Sequence, residues 1–298
     1  MTGDPSFFSP KRLLAERGLS PRKRLGQNFL IDQRFAGRIA GVLPAGSYVV
    51  EIGGGTGALT AALLAGARGV DVLEVDRGLA AILRERFADA PKVRVFEEDA
   101  LEFDLAGALS REAAPRAVCG NLPYYITTPL LERIVGCSDV WETAVVMVQR
   151  EYGRRLSAAP GTSDYSSLTV FVNYHCRVEH LFDAGAGGFY PPPAVASSVV
   201  RLTPKRDRDA GVRDPALVLW LSRAAFAQRR KTLVNSVLSS LAAQKVDPNA
   251  PLGRGDLENA VRSIGKDANI RGERFALDDF IKLANALHAQ GFRVPRQI

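Results

Sequence analysis

The sequence has few of the residues that build metal centres, disulfide frameworks or membrane spans. It contains three cysteines and three histidines in 298 residues, and the group His175, Cys176 and His180 lacks further ligands at zinc-site spacing. Cys119 and Cys137 are isolated and are interpreted as reduced, buried thiols. No apolar run reaches the roughly 18 residues of a transmembrane helix, and the N-terminus lacks the apolar core of a secretory signal. We therefore predict a cytoplasmic protein with no metal site and no membrane contact.

What is present is an ordinary globular composition with an uneven distribution of charge. The chain is 46% hydrophobic and 24% charged, with a net charge of +7. Residues 1–30 hold six basic and two acidic side chains, residues 206–298 hold 16 and 10, and residues 31–205 hold 17 and 20. A basic excess at both ends favours a polyanionic partner such as nucleic acid, and it suits a generically basic soluble protein equally well.

Segments with strand character alternate with helical segments in the first half of the chain. YVVEI, VDVLEVD, VRVFEED, RAVCGN and ETAVVMVQRE have the apolar character of buried strands, and helices are predicted at Ala58–Ala65, at Leu79–Phe87 and from Pro129. This alternation predicts an α/β fold with a doubly wound, mostly parallel sheet. Residues 168–202 are predicted to add strands at an antiparallel edge.

The last third of the chain has a different pattern. Near TPKRDRDAGVRDP the sequence becomes charged and loses periodicity, which is typical of a linker. Helical spacing then recurs in four segments: Ala216–Phe226, Thr232–Gln244, Asp256–Ile264 and Leu277–Gln290. We therefore predict a flexible or loosely docked extension over residues 1–20, an α/β domain over residues 21–205 and a smaller all-α domain over residues 206–298.

A glycine-rich loop follows the first predicted strand, in VVEIGGGTGALT. Gly53, Gly55 and Gly57 allow the backbone to approach a ligand closely, in front of a helix N-terminus. The loop alone is weak evidence, because it also satisfies the dinucleotide-binding fingerprint. Glu51, two residues before the first glycine, completes an acid-x-Gly-x-Gly-x-Gly pattern that is typical of S-adenosylmethionine-dependent methyltransferases.

Acidic residues end the next two predicted strands. Glu74 lies 21 residues after Gly53, where a carboxylate can accept hydrogen bonds from both ribose hydroxyls of an adenosine. Asp76 would replace it if the strand register shifted. Asp99 ends the third strand and could accept from the adenine amine. These positions predict an adenosine site at the carboxyl edge of the sheet, for either NAD or S-adenosylmethionine.

The fourth strand ends in Asn121-Leu122-Pro123-Tyr124, which could be an ordinary turn. It could also hold a planar exocyclic amine, whose nitrogen lone pair is delocalised into the ring and is poorly nucleophilic. The Asn121 side-chain oxygen and the Leu122 carbonyl would accept the two amine hydrogens, and the Tyr124 ring would stack on the base. An adenine held in this way must leave its own stack.

These residues belong to a set of five ordered motifs. The motifs are RLGQNFL from Arg24, EIGGGTGALT, GNLPYYITTPLL, FYPPPAVASSVVRL from Phe189 and FAQRRKTLVNSVL from Phe226. Together they resemble the small-subunit ribosomal RNA adenine dimethyltransferases, over residues 22 to 290. Ala194 and Ala196 depart from the pattern, because the family often has lysine and aspartate there, which leaves the nearby substrate contacts undetermined.

The resemblance implies a seven-stranded Rossmann-like methyltransferase sheet and specific site residues. The cofactor, S-adenosylmethionine, would be bound by Asn28, Leu30, Gly53, Gly55, Glu74, Asp99 and Asn121. The target adenine would be held by Asn121 and Leu122, between the rings of Tyr124 and Phe189. Independently of the resemblance, the run Arg229, Arg230 and Lys231 is predicted to open a helix, where cations oppose the helix dipole, so contact with RNA phosphates explains it better than a solvated face. Arg22, Lys23 and Arg24 are predicted to add phosphate contacts from the other side.

The resemblance also implies the reaction and its substrate. We expect a monomer that dimethylates the N6 amines of two adjacent adenines in the 3′-terminal hairpin of 16S ribosomal RNA, within an immature 30S particle. Three alternatives remain: a resistance-type dimethylase of large-subunit RNA, an assembly factor that acts mainly by docking, and a nicotinamide oxidoreductase. The predicted amine-binding loop at Asn121–Tyr124 disfavours the nicotinamide oxidoreductase.

Overall fold

The computed structural model describes residues 9–243 and 252–294. The chain divides into two compact units. The first holds the residues up to Gly153 together with Cys176–Pro204, and the second holds Arg154–His175 and the residues from Lys205 onward. The chain therefore enters the second unit twice, and the domain limits at residues 20 and 205 stay a prediction.

A seven-stranded sheet forms the centre of the first unit. Its strands are β2 (Tyr48–Ile52), β3 (Gly69–Leu73), β4 (Val93–Phe96), β5 (Arg116–Asn121), β6 (Thr143–Gln149), β7 (Cys176–Ala184) and β9 (Ser197–Pro204). The order across the sheet is β4-β3-β2-β5-β6-β9-β7. Strands β2 to β6 are parallel, and β9 and β7 add an antiparallel edge. The predicted doubly wound, mostly parallel sheet is confirmed.

A separate two-stranded ladder joins β1 (Phe29–Leu30) to β8 (Phe189–Tyr190) in antiparallel register. Every residue of β2 and β3 is buried, as expected for central strands that are covered on both faces. Because the parallel strands end at one edge of the sheet, the loops that follow β2, β3, β4 and β5 meet there.

The helices of the first unit connect these strands. They are α1 (Pro10–Glu16), α2 (Gln33–Ala40), α3 (Ala58–Leu63), α4 (Arg77–Arg86), α5 (Leu105–Ser110) and α6 (Thr127–Gly136), followed by α7 (Arg150–Leu156), which runs into the second unit. Side chains of Ser9, Asp32, Asp76 and Asp104 accept backbone N–H groups at the starts of α1, α2, α4 and α5.

The N-terminal extension differs from the loosely docked segment that we expected. Leu14 of α1 is buried with Phe29, Leu79 and Ile82. Arg17 adds an ion pair to Glu85 with a nitrogen–oxygen distance of 2.8 Å. Residues 1–8 lie outside the described residues. From Ser9 onward, the apolar face of a short helix packs against α4.

The second unit is helical in its described parts. Its helices are α8 (Ser167–His175), α9 (Pro215–Phe226), α10 (Leu233–Ala243), α11 (Arg254–Ser263) and α12 (Leu277–Ala289). Their shared core includes the fully buried Phe275 and Phe280. The four helices predicted after the linker are confirmed to within about two residues, although the predicted end at Gln244 lies outside the described residues.

One predicted strand segment is wrong. Residues 168–175 form most of helix α8, and the antiparallel edge strand begins only at Cys176. Leu168 to Val172 are all buried, so their side chains show no polar face. A short, continuous apolar run rich in β-branched residues suits a buried strand and a buried helix equally, because periodicity cannot separate them.

Candidate active site

A cleft of about 780 Å³, partly open to solvent, lies at the carboxyl ends of the parallel strands. This is where α/β sheets of this kind bind ligands. Eight of the predicted site residues line it: Asn28, Gly53, Gly55, Glu74, Asp99, Asn121, Leu122 and Tyr124. The structure therefore brings together residues that follow four different strands and the segment before β1.

The glycine loop between β2 and α3 forms one wall of the cleft. Gly55 and Gly57 have φ angles of +56° and +82°, which side-chain-bearing residues rarely adopt. A Cβ atom on Gly57 would lie 2.7 Å from the Phe87 ring, and one on Gly55 would lie 3.1 Å from the Phe29 ring. The loop is held from behind by the Arg86 guanidinium, which donates to the Thr56 carbonyl. Larger side chains at positions 55 and 57 would therefore collide with neighbouring rings, and Gly55 lies at the cleft without a side chain of its own.

Glu74 lies directly after β3 and is almost fully buried. One carboxylate oxygen accepts the Gly55 N–H and the other accepts the Asp76 N–H, each at 2.9 Å. These bonds fix the carboxylate while leaving each oxygen a second lone pair for a ligand hydroxyl. Burial raises the pKa of Glu74.

Asp76 does not serve as an alternative to Glu74. Its Oδ1 accepts the N–H groups of Gly78 and Leu79 at the start of α4, at 2.9 and 3.4 Å. Its Oδ2 accepts the Gln27 side-chain amide at 3.2 Å and pairs with the Arg22 guanidinium at 3.0 Å. Both oxygens are therefore engaged within the protein.

Asp99 lies three residues beyond the end of β4, on the exposed rim of the cleft. Its Oδ1 accepts the Leu101 N–H at 2.8 Å, which orients the carboxylate. A carboxylate at the rim can accept hydrogen bonds from a ligand amine.

The loop that follows β5 carries a fixed amide. The Asn121 Nδ2 donates to the Asn28 carbonyl at 3.0 Å, so the Oδ1 is the free end of the amide. This Oδ1 is buried and has no hydrogen-bond partner among the described residues. The Thr127 hydroxyl holds the loop by donating to the carbonyls of Pro123 and Tyr124, at 3.1 and 3.3 Å. An unpaired, buried acceptor on a braced loop is suited to a ligand that donates an N–H.

Tyr124 is also held in place. Its hydroxyl shares a hydrogen bond of 2.7 Å with the Ser197 hydroxyl at the start of β9, and burial raises the pKa of Tyr124. The next residue, Tyr125, is 54% exposed and lines the cleft, as does Val75. Sequence reasoning did not assign these two residues, although Tyr125 belongs to the GNLPYYITTPLL motif.

Two predicted site residues do not line the cleft. Leu30 and Phe189 are cross-strand partners in the β1–β8 ladder, and both are buried in the apolar core. Leu30 lines a smaller cavity of about 340 Å³, together with Asn28, Glu51 and Asn121. Phe189 is 2% exposed, and its pairing with Tyr124 around an adenine stays a prediction.

Glu51 is a buried acid rather than a group at the surface of the loop. Its Oε2 accepts the Thr60 hydroxyl at 2.7 Å, and its Oε1 finds no partner in the part of the chain that the structure describes. Burial raises the pKa of Glu51 to about 8, and the nearby Glu74 carboxylate contributes to this rise. The side chain is therefore protonated at neutral pH.

The predicted RNA-binding residues near the N-terminus have different environments. Arg22 pairs with buried Asp76, whereas Arg24 is exposed and has no ion-pair partner among the described side chains. The side chain of Lys23 lies outside what the structure describes.

The basic run of the second unit precedes a helix instead of opening it. Arg229, Arg230 and Lys231 lie in the turn between α9 and α10, and α10 begins at Leu233. The Arg229 guanidinium donates to the carbonyl of Ser163 at 2.8 Å, so it braces the turn. Arg230 and Lys231 are exposed. Lys231 lies two residues before α10, so a cation still faces the positive end of that helix dipole, which is unfavourable.

The motifs and the cleft agree with comparisons with known proteins. The family model described as ribosomal RNA adenine dimethylase matches residues 18–258. The chain belongs to this family. A Ribosomal RNA small subunit methyltransferase A from Pseudomonas aeruginosa is 41% identical over 85% of this chain and 97% of its own length. One from Geobacillus thermodenitrificans is 38% identical over 93% of this chain and 94% of its own length.

Solved structures support the same assignment. A dimethyladenosine transferase from Plasmodium falciparum superposes with a TM-score of 0.74 at 26% identity, over 89% of this chain and 98% of the other. The 23S rRNA methyltransferase ErmE gives 0.61 at 25% identity, over 88% and 100%. The predicted family, the Rossmann-like methyltransferase fold and the enzyme class are confirmed.

None of the described helices combines the length and the apolarity needed to cross a bilayer. Across residues 9–243 and 252–294, no group of three or more acidic, histidine or cysteine side chains is arranged to hold a metal ion.

Proposed function

We propose that the protein dimethylates the N6 amines of two adjacent adenines in the 3′-terminal hairpin of small-subunit ribosomal RNA. S-adenosylmethionine is the proposed donor, and an immature 30S particle is the proposed substrate. The observation that carries the proposal is the buried, unpaired Oδ1 of Asn121, which lines the cleft at the end of β5. The names of the relatives support the small subunit as the site of action.

The cleft fits an adenosine-containing methyl donor. The fixed Glu74 carboxylate would accept from the ribose hydroxyls, and Asp99 would accept from the adenine amine. The backbone of the glycine loop and the Asn28 segment would contact the rest of the donor. When bound, the donor would supply an electrophilic methyl group on a positively charged sulfur.

The residues around Asn121 would prepare the amine for attack. The Asn121 Oδ1 and the Leu122 carbonyl would accept the two N6 hydrogens, which favours a pyramidal nitrogen with its lone pair directed at the methyl group. Because Asn28 and Thr127 hold this loop before a substrate arrives, little reorganisation is needed during the reaction. Tyr124 would stack on an adenine that has left its own stack. We propose no protein base, and the released proton would pass to water.

The decisive test is mass spectrometry of nucleosides from small and large ribosomal subunits that have been incubated with the protein and labelled donor. We expect labelled N6,N6-dimethyladenosine in small-subunit RNA. Sequencing of the modified fragment would then locate the two adenines. Label confined to large-subunit RNA would replace the proposal with the resistance-type activity, and RNA binding without label would favour the assembly-factor alternative.

Substitution of Asn121 tests the mechanism. Asn121→Ala should lower single-turnover methylation about 10²–10³-fold, by analogy with the loss of one positioned polar group at a reacting centre. RNA affinity should change little. Asn259→Ala, which removes an exposed asparagine of α11, is the matched control. If Asn121→Ala methylates RNA at the rate of the unaltered protein, residues 121–124 form an ordinary turn and do not position the amine.

Tyr124 should behave differently from Asn121. Tyr124→Ala should weaken capture of the flipped adenine by about 1–3 kcal/mol, the value of one stacked base. Tyr124→Phe keeps the ring and loses only the hydrogen bond to Ser197, so it should retain most of that capture. Equal losses in both variants, measured by fluorescence of a 2-aminopurine substrate, would show that the hydroxyl, and not the ring, matters.

A further inference from the structure

The segment that precedes β1 forms one side of the cleft with little regular structure of its own. Residues 25–29 all line the cleft, and only Phe29 belongs to a strand. Within the segment, the Leu25 backbone N–H donates to the Arg22 carbonyl, and the Asn28 side-chain amide donates to the Gly26 carbonyl. These local bonds shape the segment, but they do not attach it to the sheet.

Two attachments connect the segment to the rest of the first unit: the Asn121 side chain, which donates to the Asn28 carbonyl, and a group of three polar side chains. The Gln27 amide nitrogen donates to the Asp76 Oδ2 at 3.2 Å, and the Arg22 guanidinium lies 3.0 Å from the same oxygen. The Gln27 amide oxygen accepts the Arg22 backbone N–H at 2.8 Å. Arg22, Gln27 and Asp76 therefore form a closed cluster, in which Asp76 lies between β3 and α4 and the other two belong to the segment.

Asp76 connects this cluster to Glu74, which lines the cleft. Its backbone N–H donates to Glu74, the proposed ribose ligand, and its Oδ1 caps α4. Its side chain is only 5% exposed, whereas that of Arg22 is 44% exposed. If Arg22 moved away to contact a phosphate, a buried carboxylate would lose its cationic partner, which is costly.

The N-terminal helix covers the outer side of the cluster. The Leu19 side chain contacts Gly78, where a Cβ atom would lie 2.9 Å from it. A groove of about 420 Å³, partly open to solvent, is lined by Leu14, Leu19 and the three side chains of the cluster. The extension, to which the sequence assigns no role, therefore shields the attachment point.

We propose that Arg22, Gln27 and Asp76 are positioning residues that hold residues 22–30 in the form that binds the methyl donor. Arg22 then acts on donor binding and is not an RNA contact, unlike the exposed Arg24. The proposal rests on the proposed function for the identity of the ligand. The cluster itself is a property of the free protein.

The test compares Arg22→Gln and Asp76→Asn with Arg34→Gln. Asparagine preserves the helix cap at position 76. Arg34→Gln removes an exposed arginine–aspartate pair of 2.8 Å elsewhere in the first unit, so it is the matched control. Hydrogen–deuterium exchange of residues 22–30, without ligand, should become faster in the first two variants only. Exchange in β2 and β5 should stay unchanged, which shows that each variant is folded.

Calorimetry with S-adenosylhomocysteine should show a dissociation constant raised about three- to tenfold in the same two variants, as expected for losing one charge-assisted hydrogen bond at a partly exposed site. The KM for the donor should rise while kcat and the KM for RNA stay constant. Arg22→Lys should restore part of the affinity. The double variant Arg22→Gln/Asp76→Asn should be little worse than either single variant, because the pair acts as a unit.

Two results would overturn the proposal. One is unchanged exchange and unchanged ligand affinity in both variants. The other is an Arg22→Gln variant with normal ligand affinity and a reduced salt dependence of RNA binding, which would make Arg22 a phosphate contact. If the unaltered protein does not bind S-adenosylhomocysteine at all, the proposed function fails, and the exchange experiment still decides whether the cluster holds the segment.

Discussion

Replacing Glu51 with glutamine should make the stability of the protein less dependent on pH. Glu51 is fully buried in β2, with one oxygen accepting from Thr60 and the other without a partner among the described residues. Burial raises the pKa of Glu51 from its ordinary value of 4.5 to about 8. Glutamine has nearly the same shape and no charge, so it should replace the protonated acid with little change in packing.

The direction of this pH dependence follows from the number of protons that the folded and unfolded states bind. Between pH 4.5 and about 8 the folded state keeps a proton on Glu51, whereas the unfolded chain has lost it. Stability therefore falls as the pH rises through this window. The slope is at most about 1.4 kcal/mol per pH unit, so the upper limit over the window is about 4–5 kcal/mol. Above pH 8 the contribution is constant.

Urea unfolding of both proteins at pH 5.5, 6.5, 7.5 and 8.5 would measure this effect. The stability of Glu51→Gln relative to the unaltered protein should increase with pH and then level off. The comparison cancels the titration of distant groups. The groups that face Glu51 are Glu74, through its charge, and the buried Cys119 on the adjacent strand β5. A stability difference that stays constant from pH 5.5 to 8.5 would show that Glu51 is ionised in the folded protein, and would refute this reasoning.

Three further predictions concern other parts of the first and second units. Glu74→Gln should weaken S-adenosylhomocysteine binding by about 1–3 kcal/mol in calorimetry, because one ribose hydroxyl loses its acceptor. Changing Arg230 and Lys231 to alanine should reduce the slope of log RNA affinity against log salt by about 0.7–0.9 per lost phosphate contact, and an unchanged slope would make them ordinary solvated cations. Arg94→Ala should lower the free energy of unfolding in urea more than Asp71→Ala does. The first change leaves the Asp71 carboxylate, which is 1% exposed, without the guanidinium that lies 2.6 Å from it, whereas the second leaves a half-exposed Arg94 that water can solvate.

The parallel part of the fold could be predicted because its signals are local. Each of the strands β2 to β5 is a short apolar run, and each is followed by a turn and a helix, so pattern and topology agree. Residues 168–175 gave no such agreement, because an apolar segment without a polar face fits either type of element. The attachment of α1 was also missed, since its contact with Leu79 and Ile82 is made far along the chain.

Prediction of the candidate active site from sequence meets the same limit, because it fails where contacts depend on tertiary packing. Glu74, Asp99 and Asn121 could be predicted because the carboxyl ends of parallel strands must meet, whatever the details of packing. The pairing of Arg22 with Asp76 could not, since nothing in the local sequence separates a cation that braces a loop from one that meets a phosphate. Phe189 shows the opposite problem. The motif that begins at Phe189 marks it as a site residue, but its burial depends on the β1–β8 ladder, which the motif does not predict.

The buried oxygens of Glu51 and Asn121 that lack hydrogen-bond partners among the described residues differ in how their burial can be tolerated. Glu51 pairs in register with Cys119 on β5, two residues before Asn121, and Glu51 and Asn121 line the same small cavity. A buried acceptor without a partner destabilises a folded protein by about 1–3 kcal/mol. Because burial raises the pKa of Glu51, its side chain avoids the cost of a buried charge, although one oxygen stays without a hydrogen-bond partner among the described residues. The Asn121 amide is held in place by its bond to the Asn28 carbonyl and by the Thr127-braced loop, which leaves its oxygen available to a donor in the cleft. This fixed, unpaired acceptor in the cleft is the feature on which the proposed role of Asn121 rests, and the Asn121→Ala experiment tests it.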